Sequence, residues 1–134
     1  MERLILDTTI LVSAERRGVD AVARSIGDED DVAIAALTLA ELRVGVLLAT
    51  GKRRSVRAAY VDRIEQAFSI EDYTATVAKA HADLLAETRR TGTPRDAHDL
   101  IIAATAIGAG RTLVTSDARG FTGLPGLALA ADPA

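Results

Sequence analysis

The chain has 134 residues, the size of one domain with a core of its own, and its lack of cysteine excludes disulfides, cysteine-ligated zinc and a cysteine nucleophile. Its 16 Lys and Arg against 19 Asp and Glu give a formal net charge of −3, which at face value argues against a nucleic-acid partner. Its 3% aromatic content argues against a base-stacking surface. With no signal-peptide pattern and no apolar run of about 20 residues, we expect a single cytoplasmic domain over 1–134 without membrane contact.

The first half of the chain alternates short apolar runs with helical patterns. Leu4–Leu6 is apolar, ends at Asp7 and predicts a buried strand. Thr38-Leu39-Ala40-Glu41 has the form of a capping box and predicts a helix from there to Thr50, with Gly51 as its stop. Between them the pattern predicts a helix at 8–17, a short helix at 20–26, a solvated acidic turn at 28–31 and a buried strand at 32–35.

The second half continues the alternation. Thr93-Pro94-Arg95-Asp96 predicts an N-cap, a proline at the first helical position and an acid at the third. The helix that follows, 97–107, is apolar nearly all round and is therefore expected to be buried. The other predicted elements are a helix at 52–68, a strand at 68–70, a helix at 74–90 that ends by Gly92, and strands at 112–115 and 127–129. This alternation predicts an α/β fold with a parallel sheet covered on both faces.

Four carboxylates fall where the strand ends are expected to meet. Asp7 directly follows the first strand, and Glu41 lies beyond the second, in the first turn of its helix. Asp117 follows the strand at 112–115, and Asp99 lies near the start of the helix that leads into that strand. In parallel α/β sheets, functional groups gather at the carboxyl ends of the strands. The sequence therefore predicts an acidic cluster at this edge.

Each acid, taken singly, also has a structural explanation. Asp7 would cap a helix, Glu41 would complete a capping box, and Asp117 would initiate a turn. Asp99 would favour the helix dipole. However, Thr93 and Asp96 already supply capping at that helix start, which leaves Asp99 without an evident structural task. The joint pattern favours a functional cluster.

Electrostatics indicate what such a cluster would bind. Two carboxylates ~4 Å apart repel by about 4 kcal/mol at an effective dielectric constant near 20. Several in one crevice would protonate or separate unless a cation were present. A site built from oxygen alone suits Mg²⁺ or Mn²⁺ better than zinc, and a cation of this kind suits phosphoryl chemistry.

Segments around all four acids resemble the motifs of PIN-domain nucleases. These segments are Ile5-Leu6-Asp7-Thr8-Thr9, Thr38-Leu39-Ala40-Glu41-Leu42, Asp99-Leu100-Ile101-Ile102-Ala103-Ala104-Thr105-Ala106 and Val114-Thr115-Ser116-Asp117. The third and fourth together are the most specific. Their spacing and the chain length also resemble the VapC toxins of bacterial toxin–antitoxin pairs, and the resemblance covers essentially the whole chain.

The resemblance implies a PIN-like three-layer α/β/α fold with a short central parallel sheet. It also implies an endoribonuclease that depends on Mg²⁺, for which Mn²⁺ can substitute, an inhibiting VapB-type antitoxin and a homodimer. By motif position, the catalytic and metal-binding set is Asp7, Glu41, Asp99 and Asp117, with supporting hydroxyls from Thr9, Thr115 and Ser116. In one departure, Gly120 stands where many relatives carry a further acid, which puts a second metal ion in doubt.

Several other residues are candidates for the same site. Arg95, close to the start of the Asp99 helix, is the best candidate for holding RNA phosphates. Asp96 is interpreted as a cap with an outer supporting role as the alternative. His98 is disfavoured as a general base because neighbouring helix residues point about 100° apart, and His81 is expected to be a packed structural residue. Leucines and a valine recur at helical spacing over 39–47, which predicts core packing or a groove for a partner helix.

Two other functions remain open at this point. One is a PIN nuclease that processes housekeeping RNA, and the other is a non-catalytic binding module with a PIN-like or receiver-like fold. The net charge does not decide between them, since one divalent cation would change it from −3 to −1 and two would change it to +1. We expect RNA affinity to be modest, metal-dependent and confined to an arginine-rimmed face.

Overall fold

The computed structural model describes residues 1–16 and 30–131. The predicted helix at 20–26 and the first half of the acidic run at 28–31 lie outside them. The described strands are β1 (Arg3–Leu6), β2 (Asp31–Ala35), β3 (Ser69–Glu71), β4 (Thr112–Thr115) and β5 (Leu129–Ala131). The described helices are α1 (Thr8–Ala14), α2 (Ala36–Leu48), α3 (Gly51–Ala67), α4 (Ala75–Thr91) and α5 (Ala97–Ala109), followed by a 3₁₀ turn at Ala118–Gly120.

The described strands form one parallel sheet in the order β3-β2-β1-β4-β5. Leu6 lies opposite both Ile34 and Val114, so β1, β2 and β4 end close together. Because successive side chains of a strand point to opposite faces, Leu4 and Leu6 pack against α1, α2 and α3. Ile5 packs on the other face, against α4 and α5. The predicted three-layer α/β/α fold with a short parallel sheet is confirmed.

The capping box predicted at Thr38 is wrong. Helix α2 begins at Ala36, directly after β2, and Ala35 is its N-cap with no side-chain cap bond. Thr38 is therefore inside the helix and fully buried. The helix also ends earlier than predicted, at Leu48, and Gly51 begins α3 instead of stopping α2.

Other boundaries also differ from the prediction. The N-cap of α5 is Asp96, and its carboxylate accepts hydrogen bonds from the backbone N–H of His98 at 2.9 Å and Asp99 at 3.1 Å. Thr93 and Pro94 thus precede the helix. Strand β3 begins one residue later than predicted because Phe68 caps α3 and is buried beside it. Strand β5 begins at Leu129, where pairing with Leu113 sets its register.

A buried arginine joins the amino ends of the central strands. Arg111 directly precedes β4 and is 6% exposed. Its Nη1 donates to the carbonyl of Leu4 at 3.2 Å and to the carbonyl and carboxylate of Asp31 at 3.0 and 3.1 Å. Its Nη2 donates to Glu71 at 3.4 Å. Asp31 is thus the first residue of β2 and an ion-pair partner of Arg111, which corrects its assignment to a solvated turn.

No helix in the described residues is long and apolar enough to cross a membrane.

We expect Arg111→Met to lower the free energy of unfolding by about 3 kcal/mol, because it removes the cation that pairs with partly buried carboxylates and satisfies two carbonyls. Urea denaturation measures the change. Arg3→Met is the matched control, since Arg3 also pairs with Asp31 but its side chain is 47% exposed, and its cost should stay below about 1 kcal/mol. Equal losses in the two variants would contradict a special role for the buried guanidinium.

Candidate active site

Four acids meet at the carboxyl edge of the sheet, as the sequence predicts. Asp7 follows β1 and Asp117 follows β4. Asp99 lies in the first turn of α5. Glu41 lies in the second turn of α2, one turn later than predicted, because the helix begins at Ala36. The elements that carry the acids are thus the two strands next to each other at the sheet centre and one helix from each face.

Asp7 is the most buried of these acids, at 3% exposed. Its Oδ2 accepts hydrogen bonds from the hydroxyls of Thr9 and Thr115, both at 2.8 Å. It occupies the N-cap position of α1, but its side chain makes no cap bond. No donor among the described residues reaches its Oδ1. The two hydroxyls therefore hold the carboxylate in one orientation with one oxygen left for a ligand.

The supporting hydroxyls also tie the end of β4 to the start of α1. The Thr9 hydroxyl lies 3.4 Å from that of Thr115 and accepts from the backbone N–H of Ser116 at 3.4 Å. The Thr115 hydroxyl accepts from the backbone N–H of Asp117 at 3.0 Å. Thr9 and Thr115 thus contact Asp7 through their side chains, whereas Ser116 contributes its backbone.

Glu41 is held by two residues that the sequence pattern did not single out as its partners. The Thr8 hydroxyl donates to Oε1 at 3.0 Å and lies 3.2 Å from the Thr38 hydroxyl. Nδ1 of His98 lies 3.1 Å from Oε2. His98 thus contacts one of the acids, because Glu41 reaches across from α2 to meet it, and the prediction that His98 is not the general base stays a prediction. Thr38 and Glu41 are three residues apart and share a face of α2, which is why the Thr8 hydroxyl contacts both of them.

Asp99 shows that the acids act on one another. The pKa of Asp99 is raised from 3.8 to about 6, most of all by burial and in addition by the nearby charges of Asp96, Asp7, Glu41 and Asp117. The carboxylate of Asp99 also lies against Gly120. The Cβ atom of any larger residue at position 120 would lie 2.9 Å from Oδ2 of Asp99. A further acid at position 120 thus has no room unless Asp99 moves.

An open cavity of about 350 Å³ connects three of the acids. It is lined by Asp7, Thr8, Thr9, Val12, Glu41, Asp99 and Ile102. Asp117 flanks this cavity with a side chain that is 59% exposed and 3.8 Å from Nε of Arg119. Within the described residues, no three carboxylate or imidazole groups are close enough in this conformation to hold one metal ion. The acids share a crevice and repel, and a hard cation is the ligand whose charge and preference for oxygen match these donors.

Arg95 is engaged within the protein. Its Nη1 donates to the carbonyl of Gly120 at 3.2 Å and its Nη2 to the carbonyl of Thr122 at 2.6 Å. The predicted contact with RNA phosphates stays a prediction. His81 lies apart from the acids, with Nδ1 2.8 Å from the Tyr73 hydroxyl in an edge-on ring contact.

The apolar stripe over 39–47 divides between the core and the surface. Leu42 and Val46 are buried against β1 and α3. Leu47 and Leu48 are 64% and 80% exposed, and Val12, Val44 and Val56 are also exposed. Of these exposed residues, Val12 and Val56 line a cavity of about 730 Å³, together with Ser13, Glu15, Arg16, Arg53 and Arg57. The α1–α3 side of the molecule thus carries an apolar surface next to arginines.

Comparisons with known proteins agree with this geometry. Residues 4–126 match the PIN domain family. The chain is 31% identical to the plasmid stability protein StbB of Pseudomonas syringae pv. tomato, over 88% of this chain and 90% of that protein. It is 31% identical to ribonuclease VapC4 of Mycobacterium tuberculosis, over 87% of this chain and 88% of that protein. Its fold is similar to that in the crystal structure of VapBC2 from Rickettsia felis bound to a promoter DNA fragment, with a TM-score of 0.86, 26% identity, and coverage of 96% of this chain and 98% of that one.

The charge clustering predicts that Asp99→Asn stabilises the metal-free protein at high pH. Because the folded pKa of Asp99, about 6, lies above its ordinary 3.8, ionising this carboxyl costs stability as the pH rises from 4 through 6. At pH 8 in EDTA we expect a gain of about 1 kcal/mol, since solvent screens a carboxyl that is only partly buried. Urea denaturation across pH measures it.

The gain should disappear by about pH 4, where Asp99 is protonated in the folded protein. Asp83→Asn is the matched control, because Asp83 is an exposed acid on α4. A pH-independent gain, or an equal gain in the control, would show that the acids do not repel one another at Asp99.

Proposed function

Because this chain belongs to the PIN domain family, we propose that it is a single-domain endoribonuclease of the VapC type, the toxin of a VapBC-type toxin–antitoxin pair. The observation that carries the proposal is the cavity that Asp7, Glu41 and Asp99 line together, with Asp117 close enough for its charge to act on Asp99. An acidic crevice of this kind matches the donor chemistry of a cation site.

In this proposal, the side chains of Asp7, Glu41, Asp99 and Asp117 would move closer together than in this conformation and hold one or two Mg²⁺ ions, and Mn²⁺ would substitute. A bound cation of this kind makes water more acidic and stabilises the leaving oxygen of a phosphodiester. The residues around the acids orient them. Asp7 is fixed by Thr9 and Thr115 and offers its Oδ1. Glu41 is held by Thr8 and His98 on its two oxygens.

Asp99 is suited to a second task in the same crevice. It lines the cavity together with Asp7 and Glu41. We propose that it orients the attacking water as well as contributing an oxygen to the cation.

The apolar surface on α1, α2 and α3 supports a protein partner. Leu47 and Leu48 are exposed on α2, and Val12 on α1 lines a cavity together with Arg16, Arg53 and the Arg57–Glu15 ion pair. A stretch of amphipathic helix with acidic flanks fits such a surface. We propose that the cognate VapB-type antitoxin docks here and that the toxin forms a homodimer.

We expect Asp7→Asn and Asp99→Asn each to reduce RNA cleavage at least ~10²-fold, because each removes an anionic oxygen from the cation site. Purified protein is incubated with structured RNA and Mg²⁺, and products are resolved on gels. Asp83→Asn, an exposed acid outside the crevice, should cleave like the wild type. Unchanged cleavage by both crevice variants would refute the site.

We expect Leu47→Asp and Leu48→Asp to leave cleavage unchanged and to weaken neutralisation by the antitoxin, because they place charges on an exposed apolar surface. The toxin is induced in cells with and without the product of its neighbouring gene, and growth is followed. Arg89→Asp on α4, at the opposite face of the sheet, is the control and should be neutralised normally.

If the neighbouring gene product relieves growth arrest by both leucine variants as fully as by the wild type, the antitoxin docks elsewhere. If induced expression of the active protein arrests no growth, the housekeeping RNA-processing role replaces the toxin role.

A further inference from the structure

A backbone segment that follows β4 lies directly against Asp99. Gly120, at the end of the 3₁₀ turn, comes so close that a Cβ atom there would lie 2.9 Å from Oδ2 of Asp99 and 3.7 Å from its Cγ. Gly120 does not have a positive φ. The backbone conformation therefore tolerates any residue, but a Cβ atom at this position would force the carboxylate of Asp99 to shift.

Three sets of contacts hold this segment in place. Arg95 donates to the carbonyls of Gly120 and Thr122, at 3.2 and 2.6 Å. The side chain of Phe121, between them, is 2% exposed and packs into the core beside α5. The carbonyl of Ala118 accepts from the backbone N–H of Phe121 at 3.0 Å, and from the N–H and hydroxyl of Thr122 at 2.9 and 2.7 Å. The segment is thus anchored on both sides of Gly120.

The guanidinium of Arg95 is engaged in a way that suits a clamp. It uses two terminal nitrogens on two carbonyls two residues apart, a fork geometry that lysine cannot reproduce. Arg95 also directly precedes Asp96, whose carboxylate caps α5 and binds the N–H of Asp99. The same short stretch of chain therefore fixes both the backbone of Asp99 and the wall against its carboxylate.

We propose that Arg95 and Gly120 are positioning residues for Asp99. Arg95 clamps residues 118–122, here called the strap, and Gly120 lets the strap close on the carboxylate. The closed strap lies against Oδ2 of Asp99 and limits the rotation of this carboxylate, which lines the cavity together with Asp7 and Glu41. A carboxylate that is already oriented loses less entropy when it binds a cation. The proposal rests on the proposed function, in which Asp99 binds the cation.

Gly120→Ala and Arg95→Ala test the strap from its two sides. A methyl group at position 120 must displace Oδ2, and loss of the guanidinium frees the carbonyls of the strap. We expect each variant to bind Mn²⁺ at least ~10-fold more weakly than the wild type, measured by calorimetry without RNA. With RNA present and Mg²⁺ at a saturating concentration, kcat should fall because the carboxylate is displaced, while KM for RNA should stay the same because the cation site is filled. Arg95→Lys should recover little, since a single amine cannot bridge both carbonyls.

Matched controls separate the strap from general effects of substitution. Gly45→Ala adds a methyl group where nothing lies within 4 Å, and Arg89→Ala removes an equal charge from the exposed end of α4. Both should bind Mn²⁺ like the wild type. Thermal melting in EDTA should show Gly120→Ala folded, so that its weaker binding reflects the displaced carboxylate.

Different outcomes contradict the strap, the cation site and the role of Arg95 as a clamp. If Asp99→Asn loses Mn²⁺ binding but Gly120→Ala and Arg95→Ala retain it, the strap is refuted and the proposed function stands. If Asp99→Asn binds Mn²⁺ like the wild type, the cation site itself is misplaced. If Arg95→Ala keeps its Mn²⁺ affinity but shows a raised KM for RNA, Arg95 contacts substrate and the clamp is refuted.

Discussion

Mutual repulsion among carboxylates at the carboxyl edge of the sheet is the constraint around which the rest of this structure is organised. Each acid of this cluster has different neighbours. Two hydroxyls stabilise the buried charge of Asp7. Glu41 takes partners on both oxygens, and Asp117 extends toward solvent. Asp99 has a pKa raised to about 6, most of all by burial and in addition by the neighbouring acids. A bound cation would offset both effects, which links the electrostatics to the proposed function.

The topology creates this constraint. With β1 between β2 and β4 in a parallel sheet, the chain must leave three neighbouring strands at one edge. Acids placed at those exits, and one on α5, converge without any long-range sequence signal. The amino ends of the same strands carry the opposite arrangement, since Arg111 is buried there against Asp31 and strand carbonyls. A buried cation thus lies at the amino ends of these strands, and the clustered acids lie at their carboxyl ends.

The four acids were predictable because the strand-end rule needs only the order of elements. Their partners were less so. Thr38 and Glu41 match a capping box, but the same spacing describes two residues on one helix face, and β2 runs into α2 too early for Thr38 to cap it. The contacts of His98 with Glu41 and of Gly120 with Asp99 join residues 57 and 21 positions apart. Local patterns carry no information on such pairs, since tertiary packing alone creates them.

The net charge of −3 does not show where the charged residues lie on the molecule. A negative total would repel RNA if the charges were spread evenly. Here the acids of the crevice are concentrated where a divalent cation would neutralise them, while Arg16, Arg53 and Arg57 rim a cavity on the α1–α3 side. The field that a phosphate backbone meets therefore depends on whether the crevice holds its cation. In the proposed function, metal binding would thus control substrate affinity as well as chemistry, because the carboxylates proposed to bind the cation would repel RNA without it.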